Sequence, residues 1–226
     1  MHAARMPVLV TLVHVGDSVT FGQYVDPNLR WTSLVYAKLD TVYQNTPVQI
    51  LSLNRGISGE TTRQGLERFP QDVQQYRPDV LTLQFGLNDC NCWLTDGGLP
   101  RVSAAAYRAN LVEMVERARQ FGARDIILTN NHPTLRRKPQ LSGESLEQAS
   151  ARYSDIARNV ALETGISFCD IRQAFAFFDQ QELEEMLLPY PDHLHLSVKG
   201  NAHFAEMIFP YISQAIEAVV DRKAAA

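Results

Sequence analysis

Four short segments far apart in the chain carry side chains that could work together on a carbonyl carbon: GDSVTFG at Gly16 to Gly22, NRGISGETT at Asn54 to Thr62, GLND at Gly86 to Asp89 and DHLH at Asp192 to His195. Ser18 sits between two glycines that allow a sharp turn to expose its hydroxyl. A serine hydroxyl is a weak nucleophile until a base takes its proton, and an isolated GDS tripeptide is more often a helix-capping or turn serine. The candidate base is His195, with Asp192 three residues before it. In a turn or a first helical turn that spacing puts both side chains on one side, where the carboxylate can hold the imidazole tautomer and stabilise the imidazolium. His193 is a rival in the same segment. His195 is preferred because only it has an acidic residue three positions upstream, and because Ser197 starts a helix whose positive end offsets part of the carboxylate's effect on the imidazole. Asp192 as a plain turn residue and His195 as a structural histidine are the competing readings.

An attacked ester gathers negative charge on its carbonyl oxygen, and donors aimed there supply much of the catalysis. Gly59, in a loop where backbone can approach a ligand closely, and Asn88, an uncharged amide, are the candidate donors, with the Ser18 backbone N–H as a third. Taken singly, Gly59 reads equally well as a turn glycine and Asn88 as an Asx turn at a strand end. Their joint occurrence with Ser18 and the Asp192–His195 pair favours acyl chemistry. The first segment differs from the G-x-S-x-G elbow, since Thr20 stands where the second glycine belongs.

Positioning these residues requires a scaffold, and its pattern is visible. Short apolar segments at Val8–Val15, Val48–Leu53, Val80–Phe85, Asp125–Thr129 and Ile166–Cys169 read as strands, and their near-continuous Val, Ile and Leu content suits burial on both sides. Helices are expected at Trp31–Tyr43, Thr62–Tyr76, Ser103–Phe121 and Glu144–Glu163, with a last one from Ser197 to Val220 that Pro210 should kink or divide near Phe209. Alternation of this kind predicts an α/β fold, a parallel sheet covered by helices on both faces. Two long loops, Cys90–Val102 and Asn130–Gly143, would emerge at the carboxyl ends of strands, where ligands bind in such sheets.

The 226 residues, 45% apolar, suffice for one large domain spanning residues 1–226. A net charge of −4 without a long run of one sign excludes a nucleic-acid footprint or polybasic membrane patch. A small neutral or mildly polar molecule is the expected partner. The three cysteines, Cys90, Cys92 and Cys169, are too few for a disulfide framework and lack zinc-site spacing. Met6–Val15 has a basic residue before it and an apolar centre, as a signal peptide does, but removing it would remove the strand that presents Ser18. With no apolar run long enough to span a bilayer, the expected location is cytoplasmic.

With these landmarks the chain resembles the SGNH hydrolase superfamily, the GDSL lipase/esterase family. The family's invariant positions correspond to Ser18 in GDSVTFG, Gly59 in ISGETT, Asn88 in GLND and His195 in DHLH, with Asp192 as its triad aspartate. The resemblance implies a single-domain three-layer α/β/α sandwich on a five-stranded parallel sheet in flavodoxin-like order. It also implies ester hydrolysis through an acyl-enzyme, without metal or cofactor, by a Ser18–His195–Asp192 triad and an oxyanion hole of Ser18, Gly59 and Asn88. Val19 replaces the leucine of the family's usual first motif and Leu196 the proline often seen after the histidine; neither supplies a reacting group.

Further residues are candidates for substrate contact: Trp93, with Leu94 and Trp31, for an acyl pocket, and Asn130, Asn131 and His132 at the end of the fourth strand. Asp17 suits a supporting hydrogen bond, and His14, inside the first strand, suits a buried, satisfied histidine. Other functions remain open at this stage. Deacetylation of a sugar would use the polar 130–132 loop, and the basic run Arg136, Arg137, Lys138 would suit a hydroxyl-rich or anionic leaving group. An acyltransferase would use the same acyl-enzyme. A non-catalytic flavodoxin-like binding module would cradle a phosphate in the first loop, where Asp17 would repel it.

Overall fold

The computed structural model describes residues 7–225. Five strands, β1 (Val8–Gly16), β2 (Val48–Gly56), β3 (Val80–Gln84), β4 (Asp125–Thr129) and β5 (Ser167–Cys169), form a parallel sheet in the order β2-β1-β3-β4-β5. This is the flavodoxin-like order, with its switch point between β1 and β3. The helices are α1 (Ser18–Phe21), α2 (Trp31–Tyr43), α3 (Thr62–Glu67), α4 (Phe69–Asp72), α5 (Ala104–Gln120), α6 (Leu146–Thr164), α7 (Ile171–Phe175), α8 (Gln180–Met186) and α9 (Val198–Ala224). Helices α2 and α9 pack together over one face of the sheet, and α3, α5 and α6 cover the other.

The register fixes where chemistry can occur. Gly56, Gly16, Gln84, Thr129 and Cys169 pair across the sheet in one row, so all five strands finish level. Every loop that follows a strand therefore starts from the same carboxyl edge, and segments distant in sequence meet there.

Strands β1 and β3 are buried throughout their later residues, as their apolar content requires. β2 and β5 are edge strands, half-buried rather than enclosed, and Leu51 on β2 remains 42% exposed. β2 also runs three residues beyond Leu53, because Asn54 finds partners inside the fold: its amide donates to the Thr20 carbonyl at 2.8 Å and to Thr32 Oγ1 at 3.0 Å, and its oxygen accepts from Gly56 N. The helix expected over Thr62–Tyr76 breaks into α3, α4 and a 3-10 turn at Gln74–Tyr76. Pro70 lacks a backbone donor there, and Arg68 at the break turns its guanidinium to Glu60, Asp72 and the carbonyls of Arg55 and Gly16. At Pro210 the outcome is the reverse: α9 continues unbroken through it. Pro210 lies on the exposed side, so the carbonyl left without its helical partner faces water. The strand reading of the N-terminal stretch holds from Val8 onward; Met6 and Ala226 lie outside the described residues. Among the described residues no helix is long and apolar enough to cross a membrane.

Candidate active site

The chain leaves β1 at Gly16 and turns at once into α1. Any side chain at Gly16 would collide with Thr20 Oγ1 at 2.1 Å and the Gln84 carbonyl at 2.4 Å, so only glycine allows the turn to sit this low on the sheet. Asp17 caps α1, accepting the Val19 N–H at 2.9 Å, and Gly22 ends it in the left-handed conformation. Ser18 is thus the first residue of a one-turn helix. Trp31 fixes the turn from below by donating its indole N–H to the Val19 carbonyl at 3.0 Å.

His195 is presented by a turn that holds itself together. Asp192 Oδ1 accepts the backbone N–H groups of Leu194 at 2.9 Å and His195 at 2.6 Å, which leaves Oδ2 to take the imidazole Nδ1 at 2.8 Å. His195 Nε2 lies 2.9 Å from Ser18 Oγ. Burial pushes the Asp192 carboxyl up, but the hydrogen bonds from the His195 side chain and from the His195 and Leu194 backbone, with the attraction of the imidazole, outweigh it and hold the group below the ordinary carboxylate range. An ionised carboxylate only accepts, so Nδ1 carries the proton and Nε2 is left to accept the Ser18 hydroxyl. His193, the rival, has its backbone in the left-handed region and its ring against Tyr190, 5.7 Å between centroids, away from Ser18.

Ser18 and His195 open on a groove of about 290 Å³ that Gly59, Asn88, Leu87, Tyr24 and Asn91 also line. Gly59 is exposed in a positive-φ conformation, with nothing within 4 Å of the place a Cβ would occupy. Arg101 steadies it by donating to its carbonyl at 2.9 Å while stacking over the Trp93 ring at 4.0 Å. Trp93 therefore borders the groove through Arg101 and lines neither it nor the neighbouring cleft.

Four of the candidate contact residues prove to be interior, Asn131 among them, buried and held by Gln84. Asn130 is buried and joins the ends of β4 and β5, donating to Asp170 Oδ1 at 2.6 Å and accepting from Arg172 N at 2.9 Å. His132 is fully buried, donates from Nε2 to the Leu194 carbonyl at 2.8 Å, and is pushed by burial down to about 4, so it stays neutral and braces the turn beside His195. Trp31 stacks on Phe204 in the core. A strand's end on the sheet rim does not decide whether its next side chains point out or in, and here packing turned them in. His14 is buried as expected, bonded to Thr82 Oγ1 at 2.9 Å.

Beneath the groove lies a polar layer in which Asp17 has the supporting place expected of it, while Gln84 and Asp89 were not expected there. Thr20 donates to Gln84, Gln84 to Asn131 at 2.6 Å, and Asn131 to the Phe85 carbonyl at 3.1 Å. Two fully buried carboxylates flank it. Burial lifts Asp17 to about 7, against the pull of the Val19 N–H and with the Asp89 charge adding to the rise; the Gln84 and Asn88 amides beside it draw it back. Burial lifts Asp89 to about 6, although Thr62 donates both its hydroxyl and its backbone N–H to Oδ1. Gln84 was the available signal, a polar residue closing an otherwise apolar strand. Tyr24, also missed, sets its ring edge-on to the His195 imidazole at 5.4 Å.

The profile of the GDSL-like Lipase/Acylhydrolase family matches residues 14–203. The chain belongs to this family. Among relatives of this GDSL-type protein, Esterase TesA of Pseudomonas aeruginosa is 29% identical over a stretch covering 65% of each chain. An acetylxylan esterase of Geobacillus stearothermophilus is 26% identical across 84% of this chain and 88% of its own. The lipoprotein YqeF of Bacillus subtilis is 43% identical over 34% of this chain, a match spanning about a third (31%) of that relative's length. The crystal structure of Axe2, an acetylxylan esterase from Geobacillus stearothermophilus, superposes with a TM-score of 0.71 at 24% identity, over 92% of this chain and 96% of that one, which shows a shared fold.

Proposed function

We propose that this GDSL-family protein is a serine esterase that hydrolyses small carboxylic esters through an acyl-enzyme. The observation that carries the reading is the pair of hydrogen bonds linking Ser18 Oγ to His195 Nε2 at 2.9 Å and His195 Nδ1 to Asp192 Oδ2 at 2.8 Å at the mouth of the groove. Ser18 Oγ attacks the ester carbonyl as its proton passes to His195 Nε2, and Asp192 stabilises the imidazolium. The carbonyl oxygen, now negative, is received by the Ser18 and Gly59 N–H groups and the Asn88 amide. The C–O bond to the alcohol breaks as its oxygen takes the proton back from His195. Water then repeats the sequence on the acyl-enzyme, releasing the acid and restoring Ser18. Replacing Ser18 by alanine abolishes turnover of a short-chain aryl ester with the far-UV circular dichroism and Tm unchanged; a variant that still turns over at the wild-type rate would refute the assignment.

A narrower reading, removal of acetyl groups from a sugar, has support in the groove's polar rim of Gln23, Ser58 and Asn91 and in the acetylxylan esterase relatives. Acetylated xylooligosaccharides assayed beside aryl acetates test it: a higher kcat/KM on the saccharide favours the narrower reading.

A further inference from the structure

Beside the groove lies a larger cleft of about 610 Å³, walled by the 135–141 segment on one side and by the 190–193 turn on the other. Asn91 and Arg136 line both spaces, so the two are immediate neighbours. The turn that forms its wall is the turn that carries the His195 imidazole. In the reading above, the alcohol oxygen must face His195 to take its proton, so the alcohol portion of the ester leaves past this wall.

The lining of the cleft is chemically one-sided. It carries Arg136, Arg137 and Lys138 in succession and no Asp or Glu, on a protein whose net charge is −4. Arg136 is engaged, donating from Nε to the Asp192 carbonyl at 2.8 Å. Arg137 and Lys138 are exposed and make no ion pair among the described residues, although Arg152 beyond the same loop is paired with Glu144. Open apolar surface adjoins these cations: Leu94, Leu141 and Tyr190 hold 85%, 59% and 79% of their surface open. Gln140, also in the wall, accepts the Cys92 N–H at 2.8 Å, which fixes its amide, and its Nε2 has no acceptor among the described residues.

The segment bearing these cations is braced at several points. Leu135 N donates to the His193 carbonyl at 3.0 Å, Gln140 N to the Glu144 carbonyl at 2.8 Å, and Pro139 bridges to Ser145. The charges are therefore carried on a backbone of defined position, next to open apolar surface. That combination suits a ligand with an apolar body and a negative end.

We propose that this cleft receives the leaving alcohol of the ester and selects alcohols that carry a negative charge. The proposal rests on the esterase reading. A carboxylate and a phosphate on the alcohol share the required chemistry, and the substrate set separates them.

The test compares wild type with the Arg137→Gln/Lys138→Gln double variant on 4-acetoxybenzoate, on 4-acetoxyphenyl phosphate and on the neutral methyl 4-acetoxybenzoate. Intrinsic differences in leaving-group reactivity cancel in each wild-type-to-variant ratio. In the double variant kcat/KM falls about ten-fold or more on at least one anionic ester and changes less than about two-fold on the methyl ester. The wild-type advantage on the anionic ester shrinks as NaCl rises from about 20 mM to about 500 mM, where screening acts within about one ion-pair distance. The anionic ester with the larger ratio identifies the preferred group. Equal ratios on charged and neutral esters, or an advantage insensitive to salt, overturn the proposal while hydrolysis of the methyl ester keeps the esterase reading standing. A wild-type protein inert toward all three overturns the esterase reading, and the proposal with it.

Discussion

On the His195 side of the groove the Asp192 carboxylate finds its partners within three residues, two backbone N–H groups and the imidazole, while Arg136 holds its carbonyl from another loop. On the Ser18 side the loops rest instead on groups distant in sequence, Thr20, Gln84 and Asn131, and Asp17 and Asp89 each keep one buried carboxylate oxygen with no partner among the described residues. The Asp192–His195 turn is local and partly exposed, and its carboxylate oxygens are both bonded. The Ser18 support is long-range, buried and under electrostatic tension. The proposed base can therefore be disturbed without unpacking the core, and the two sides couple to pH with opposite sign, Asp17 raised and Asp192 lowered.

Asp192→Asn breaks the local side most severely. An amide at this position can donate to Nδ1, which moves the imidazole proton to Nε2 and leaves Ser18 without a base; kcat falls by on the order of 10³- to 10⁴-fold. Because the Leu194 and His195 N–H groups still find an oxygen, Tm changes little. A loss smaller than about ten-fold would show that His195 does not depend on this carboxylate.

Asn88→Ala acts where the two sides meet. Removing one donor to the developing oxyanion lowers kcat by on the order of 10²-fold or more with KM nearly constant. A change confined to KM would reassign Asn88 to ground-state binding.

Asp17→Asn sharpens the comparison through pH. A carboxyl raised from 3.8 to about 7 stays protonated in the fold where the unfolded chain has already lost its proton. The native state then binds more protons, so this group's contribution to stability falls as pH rises from 3.8 toward about 7 and levels off above. Asp192, held below its ordinary range, has the opposite sign: it adds stability above that range, lost as pH falls through its folded value. Asparagine keeps the Val19 cap and removes the titration, so the wild-type decline in Tm between pH 5 and 8 flattens in the variant. Parallel Tm profiles would show that Asp17 does not titrate in this window.

The sequence disclosed the parts of this molecule that depend on local pattern. The strands show as apolar runs, Ser103 and Gly122 frame α5, and the four motifs meet because five parallel strands end level at one edge. What it concealed depends on tertiary contact. Thr62–Tyr76 has a continuous helical pattern, yet Arg68 gains more from bonding to the ends of β1 and β2 than from extending the helix. Asn130 and His132 have the composition of a binding loop, but whether they face solvent was settled by the packing of Asp170 and Leu194 against them. Helix α8 was detectable in principle, since Asp179 and Glu182 form a capping box. The tension at Asp17 was not, because it arises first from complete burial in the folded chain, with a smaller push from Asp89, distant in sequence.

The proposed nucleophile is Ser18, activated by His195. Labelling with a serine-directed fluorophosphonate, followed by mass spectrometry of the modified peptide, measures this directly. The predicted result is a single adduct on Ser18, formed far more slowly in the His195→Ala variant and absent after Ser18→Ala. Modification of another serine at the wild-type rate, or labelling of Ser18 at a rate indifferent to loss of the imidazole, would contradict it.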